Sequence, residues 1–204
     1  MNPASFLAAF LASIAISHGA PVPLFDGKSF EGWEGDTEKT WRIVEGALVG
    51  GSLETTVPRN EFLATKKAFG NFELRLKVKL VGEKDANGGI QIRSKRIPNH
   101  HEMIGYQADM GQHYWGSLYD ESRRNKLLVT ADKAVIEKAL KKDEWNDYVI
   151  RCEGPRIQLW LNGVQTVDFT ETDPKIELNG NIAVQIHGGA KAVASYREIT
   201  IQEL

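Results

Sequence analysis

The segment Asn71–Leu80 reads NFELRLKVKL, with Phe72, Leu74, Leu76, Val78 and Leu80 alternating with Glu73, Arg75, Lys77 and Lys79. Successive side chains of a strand point to opposite faces, so this stretch can bury one face and wet the other only as a β-strand. The same period recurs along the chain. Trp41–Val44 turns at Glu45-Gly46 into Ala47–Val49, and Tyr148–Glu153 turns at Gly154-Pro155 into Arg156–Leu161. Asn162-Gly163 is a tight-turn pair leading into Val164–Phe169. Ile90–Arg93, Met103–Met110, Gly116–Glu121, Gly180–His187 and Val193–Gln202 read as further strands, and residues 82–89 as a polar turn. Only Lys133–Lys142 has a helical pattern. Many short strands with one short helical segment predict an all-β, two-sheet β-sandwich or jelly roll.

The start of the chain carries an address. Phe6–Ile16 is the apolar run FLAAFLASIAI, too short to span a bilayer, and small residues at Gly19 and Ala20 precede Pro21 and Pro23. This predicts an export signal peptide over residues 1–20 and a single domain over 21–204, periplasmic or secreted, with no membrane insertion once the signal is removed. Twenty-five basic residues face 27 acidic ones without a basic stripe, which disfavours nucleic acid as a partner. Cys152 is the only cysteine. It can form neither an intrachain disulfide nor a thiolate metal cluster, and it reads as a small core residue within a strand.

Alternation also locates polar groups on faces that do not meet the core. With Ile90 and Ile92 inward, Gln91 and Arg93 share the opposite face. With Ile182, Val184 and Ile186 inward, Asn181, Gln185 and His187 face outward. Gln107 and Asp109 share a face, as do Ser117, Tyr119 and Glu121. Amide, carboxylate, guanidinium and imidazole groups gathered on one sheet face suit sugar hydroxyls, which need directional donors and acceptors. The loop Gly111–Gly116 adds His113, Tyr114 and Trp115, aromatics able to stack on a pyranose ring. Polar outer faces and cross-strand ion pairs are also ordinary surface decoration. The paired-carboxylate strand motif Glu-x-Asp-x-x-Glu, HExxH, a Gly-rich phosphate loop and GxSxG are all absent. His100-His101-Glu102 reads as a polar loop rather than a metal site.

The ordered segments LFDGKSFEGWEG (residues 24–35), WRIVEGALVG (41–50), FGNFELRLKVKL (69–80), GGIQIRS (88–94), GYQADMG (105–111), WGSLYDE (115–121), EWNDYVIRCEGPRIQLWLNG (144–163) and IAVQIHGG (182–189) resemble the 3-keto-disaccharide hydrolase domain family. The resemblance implies a concanavalin A-like jelly roll acting on glycosides oxidised to a ketone at carbon 3. The ketone acidifies the proton on carbon 2, a base removes it, the carbon-1 aglycone leaves, and water adds back. That chemistry requires a base, an electrophile for the enolate oxygen and an acid for the leaving group, without the paired carboxylates of ordinary glycosidases. The roles it suggests here are His187 as base, with Glu121 or Asp109 as an alternative base or as the acid, and Arg93 as electrophile. Gln91, Gln107, Gln185, Trp115 and Tyr119 would bind substrate. Arg123 would pair with Glu121 or bind substrate. A divalent cation such as calcium, held by Asp109 and Glu121, could replace Arg93. A non-catalytic carbohydrate-binding module is the competing reading, because sandwiches of this type host both. An adhesion or scaffold domain is a third.

Overall fold

A computed structural model of the chain describes residues 19–111 and 113–204, so nearly all of the expected export segment lies outside the described residues. Among the described residues, fifteen strands and one helix form two antiparallel sheets stacked face to face. From edge to edge, the back sheet runs β13 (Val164–Thr170), β12 (Arg156–Leu161), β11 (Asn146–Glu153), β6 (Phe72–Gly82), β15 (Ala192–Glu203), β4 (Ala47–Ser52) and β3 (Trp41–Val44). β1 (Val22–Pro23) pairs along β15. The front sheet runs β10 (Lys126–Val129), β9 (Leu118–Glu121), β8 (Met103–Gly111), β7 (Asn87–Arg96), β14 (Gly180–Ile186), β5 (Glu61–Phe69) and β2 (Trp33–Glu34). The helix α1 (Lys133–Ala139) is capped by Asp132 and ends three residues before the predicted boundary, where Leu140 turns extended. The fold is the expected two-sheet jelly-roll sandwich.

The turns form as their residues dictate. Glu45-Gly46 and Asn162-Gly163 each join directly paired strand ends, and all four residues have positive φ (49°, 75°, 48° and 81°). This geometry matches the twist of a hairpin. In the back sheet, Phe72, Leu74, Leu76, Val78 and Leu80 of β6 are buried in the main core, while the charged residues between them face outward. Burial of each such side chain contributes ~1.5–3 kcal/mol over leaving it exposed. Ile90, Ile92, Tyr106, Ala108, Ile182, Val184 and Ile186 meet them from the front sheet.

The front sheet departs from simple alternation. β7 and β8 are buried on both faces along most of their length. On the outer face, Phe62, Ala64, Met103 and Ala183 form a second small apolar cluster. Arg96, the last residue of β7, reaches this face and donates to the carbonyls of Phe62 (2.8 Å) and Glu34 (3.1 Å). This double burial explains why β5 escapes a period-two reading. Phe62, Leu63 and Ala64 are consecutive and all buried, with Leu63 in the main core and its neighbours in the outer cluster. The short strands β2 and β10 also carry no alternating run long enough to announce them.

Two core tyrosines of the back sheet brace the front one. The hydroxyl of Tyr148 donates to the Asp109 carbonyl at 3.1 Å. That of Tyr196 donates to the Gln185 carbonyl at 2.6 Å and approaches the Gly89 carbonyl at 3.3 Å. Both tyrosines are fully buried. Removing the hydroxyl strands a buried acceptor at a cost of ~1–3 kcal/mol. Tyr196→Phe is therefore expected to lower unfolding free energy by about that amount in urea titrations, with the slope unchanged.

Candidate active site

The outer face of β7, β8 and β9 carries a directed chain of hydrogen bonds. Register places Gln107 between Gln91 on β7 and Tyr119 on β9, and Asp109 opposite Gly89. Ser94 Oγ donates to Gln91 Oε1 (2.6 Å), Gln91 Nε2 to Gln107 Oε1 (2.8 Å), and Gln107 Nε2 to Asp109 Oδ1 (2.7 Å). Each amide accepts at its oxygen and donates at its nitrogen, so the orientation of the whole chain is fixed and it ends on the Asp109 carboxyl. Gly89 is needed opposite, since a Cβ there would lie 2.7 Å from Gln107 Cγ and Cδ.

Above this chain lies a cleft of about 390 Å³ lined by Gln107, Asp109, Tyr119, Glu121 and His187, with Asn87, Tyr114, Asn125, Lys126 and Leu127 around them. Asp109 is 5% exposed. Burial pushes its pKa up to about 8, Glu121 adds to the rise, and the Gln107 N–H opposes it. Burial likewise pushes Glu121 up to about 7, reinforced by the charge of Glu102 and moderated by the Gln185 amide and the Ser122 N–H. At neutral pH Asp109 is thus a protonated acid and Glu121 is close to half ionised. His187 is held by its backbone N–H on the Asn87 carbonyl at 3.1 Å. Its Nδ1 lies 2.7 Å from the Gly188 carbonyl. A carbonyl only accepts, so Nδ1 carries the proton and neutral His187 presents a bare Nε2.

Among the described residues, three buried acceptors in and beneath the cleft have no hydrogen-bond partner: Asn87 Oδ1, Glu102 Oε2 and Gln185 Oε1. Of these Asn87 lines the cleft itself, where a ligand rich in hydroxyl donors would satisfy it.

The expected site residues divide. Gln107, Asp109, Tyr119, Glu121 and His187 reach one cleft. Gln91 shares their face but is fully buried beneath it, bonded to Gln107 and Ser94. Gln185 is also fully buried. Three placements need correction. Arg93 does not share a face with Gln91, because a bulge between Ile92 and Lys95 puts it at φ 49°. Its guanidinium turns to the Gly70 carbonyl (Nη2 at 2.9 Å), away from the cleft. Trp115 packs in the main core at 8% exposure, and Tyr114, 37% exposed, is the aromatic lining the cleft. Arg123 pairs with Asp120 at 2.9 Å and lies over the Tyr106 ring, not beside Glu121. Ser122, at φ 55°, turns the chain between Glu121 and Arg123. Asn87, Asn125 and Lys126 were missed. Asn87 lay inside what reads as a polar turn, and the other two on an unrecognised edge strand and its turn. Asn60 and Glu102, which meet through a 3.0 Å hydrogen bond, carry no local signal of their 42-residue separation being closed.

Among the described residues no three His, Cys, Asp or Glu side chains gather as a metal site. A cation at Asp109 and Glu121 would have only those two carboxyls with nearby amides, and one Asp109 oxygen already accepts from Gln107.

Comparison with solved structures shows the fold shared. A candidate glycosyl hydrolase of Parabacteroides distasonis superposes with TM-score 0.68 at 17% identity, over 90% of this chain and 94% of that one. The carbohydrate binding module CBM66 of Bacillus subtilis gives 0.66 at 14%, over 84% and 96%. A Bacillus subtilis protein of unknown function with a galectin-like fold gives 0.66 at 12%, over 92% and 96%. No curated protein sequence matches the chain. Residues 20–202 match the 3-keto-alpha-glucoside-1,2-lyase-like domain, and the chain, matched over nearly its whole length, belongs to that family.

Proposed function

We propose that the protein is an exported enzyme that cleaves the glycosidic bond of 3-keto-glycosides by elimination followed by hydration. The observation that carries this reading is the pairing, in one cleft, of a buried carboxyl whose pKa burial raises (Asp109) with an imidazole whose Nδ1 is engaged by the Gly188 carbonyl, leaving Nε2 as its free nitrogen (His187). Nε2 of His187 takes the proton from carbon 2, made acidic by the neighbouring ketone. The C–H electron pair moves onto the ketone to give an enolate, which re-forms the ketone as the carbon-1–carbon-2 double bond forms and the carbon-1–oxygen bond breaks. Asp109 gives its proton to the departing aglycone oxygen. Water then adds its oxygen to carbon 1 and gives a proton back to Asp109, while His187 returns its proton to carbon 2, so both groups are reset and no oxidant or reductant is consumed. Glu121, close to half ionised, orients the attacking water or shares the base role. With Arg93 turned away, Lys126 and the Asn125 amide on the cleft rim are the groups available to the enolate oxygen. The unpartnered acceptor Asn87 Oδ1 on the cleft wall suits a sugar hydroxyl. A carbohydrate-binding module of the same fold would use that acceptor and Tyr114 but would have no use for a protonated Asp109.

Release of aglycone from a 3-keto-glucoside and from its unoxidised parent tests the reaction. Turnover is expected from the keto compound alone, with His187→Ala lowering kcat by ~10²–10⁴. Asp109→Asn is expected to slow release of an alkyl alcohol far more than release of 4-nitrophenol, which leaves without a proton. Wild-type release of the alkyl alcohol should fall as pH rises through about 8. No release from either glycoside would leave the binding module as the reading.

The protonated state of Asp109 has its own test. Its folded pKa of about 8 exceeds the ~4 of an unfolded aspartate. The stability it confers is therefore complete below about pH 4 and is lost as pH rises through about 8. Asp109→Asn, fixed in the neutral form, is expected to gain on the wild type by on the order of a few kcal/mol between about pH 5 and 9 in urea unfolding. Parallel pH profiles for the two proteins would exclude a protonated Asp109.

A further inference from the structure

His187 sits at the end of β14, where three separate segments converge. Gly188 packs so closely on the segment before β5 that a Cβ there would lie 2.5 Å from Arg59 Cα and 2.7 Å from its carbonyl carbon. The two peptide planes following His187 are each fixed by one bond. The Gly188 N–H donates to Asn60 Oδ1 at 2.9 Å. The Gly189 N–H donates to the Val57 carbonyl at 2.8 Å, and that same peptide carries the Gly188 carbonyl that receives His187 Nδ1–H at 2.7 Å. Asn60 is itself oriented, because its Nδ2 donates to Glu102 Oε1 at 3.0 Å. A carboxylate on one side and an N–H on the other leave the amide a single arrangement. His101 Nδ1, 3.1 Å from the Asn60 carbonyl, ties the β7–β8 loop to the same residue.

We propose that Asn60, oriented by Glu102, is the positioning residue of the site: it holds Gly188 so that His187 keeps its proton on Nδ1 and turns a bare Nε2 to the cleft. Asn60 does not line the cleft and touches no reacting atom. Its effect runs through the backbone of Gly188. The more common neutral tautomer of a free imidazole carries the proton on Nε2 and has no lone pair there to take a proton. Loss of the Asn60 bond frees the His187–Gly188 peptide and leaves the carbonyl that selects the tautomer held by the Gly189–Val57 bond alone. The consequence for turnover rests on the proposed elimination, whereas the tautomer does not.

Long-range ¹H–¹⁵N correlations on full-length protein labelled at histidine report the tautomer directly, with the His187 signals identified by their loss in His187→Gln. Wild type is expected to show neutral His187 protonated at Nδ1. Asn60→Ala is expected to move it to an Nε2–H or mixed state and to lower kcat on the 3-keto-glucoside ~10- to 100-fold with KM little changed. Asn60→Asp alone places a carboxylate against Glu102 and should behave like Asn60→Ala. Adding Glu102→Gln should restore the Nδ1–H tautomer, because the new amide then donates while the carboxylate still accepts from Gly188. That comparison carries the test if Asn60→Ala does not fold. An Nε2–H tautomer in the wild type, an Nδ1–H tautomer that survives Asn60→Ala, or a double variant no better than Asn60→Asp would each overturn the proposal. A tautomer that responds as expected in a protein without turnover would uphold the positioning role and retire the elimination instead.

Discussion

The middle of the front sheet is closed off from water on both faces, and the polar groups of its outer face must settle their hydrogen bonds among themselves or with a ligand. Ser94, Gln91 and Gln107 settle theirs by passing donors in one direction toward Asp109. Among the described residues Asp109 accepts one side-chain N–H, from Gln107, and forms no ion pair, which is too little to hold a buried charge. The carboxyl therefore keeps its proton. The acid of the cleft follows from burial, against which the single Gln107 N–H at the end of the relay works only in part. Tyr148 and Tyr196 extend the same economy beneath the sheet, where they satisfy the Asp109 and Gln185 carbonyls from the far side of the core.

Strand β9 separates two electrostatic environments. Tyr119 and Glu121 face the cleft, while Asp120 between them is fully buried on the other side and is shared by Arg123 and Arg124. Arg124 also pairs with Glu171 at 2.6 Å, which accepts from the Tyr106 hydroxyl. Burial would raise Glu171, but Arg124 and Tyr106 hold it at about 2. The arginines that a sequence reading assigns to the site are thus drawn into bracing the sheet, and among the described residues the carboxyls in the cleft are left without an arginine partner. Had Arg123 bonded Glu121 instead, that carboxyl would be ionised throughout the neutral range.

Where one face met the core and the other met water, the fold was legible in the sequence. The β6 alternation and the Asn162-Gly163 and Glu45-Gly46 turns read directly. β5 was not legible, because Phe62, Leu63 and Ala64 are buried on both faces and a strand so enclosed loses its period. The cleft residues of β8, β9 and β14 followed from the same alternation, since an outward residue stays outward while the strand is regular. Arg93 fails at a bulge, where one left-handed residue reverses the assignment of faces. Asn60 and Glu102 could not have been found by periodicity at all. They come from loops, and only the folded chain brings them to Gly188.

The protonation pattern bears on which bond-breaking route the cleft can support. A glycosidase that stabilises an oxocarbenium ion depends on a carboxylate that is ionised while its partner is protonated. Here burial raises both carboxyls, Asp109 to about 8 and Glu121 to about 7, so neither is reliably charged at neutral pH. Among the described residues no ion pair with either restores the difference. A route through carbon 2 removes that requirement, because a ketone next to the proton does the work that negative charge does in the other mechanism, and a neutral imidazole is base enough. What such a route does require is a base of fixed orientation and an acid that keeps its proton. In the proposed reaction the Gly188 carbonyl gives the first of these to His187 and burial gives the second to Asp109.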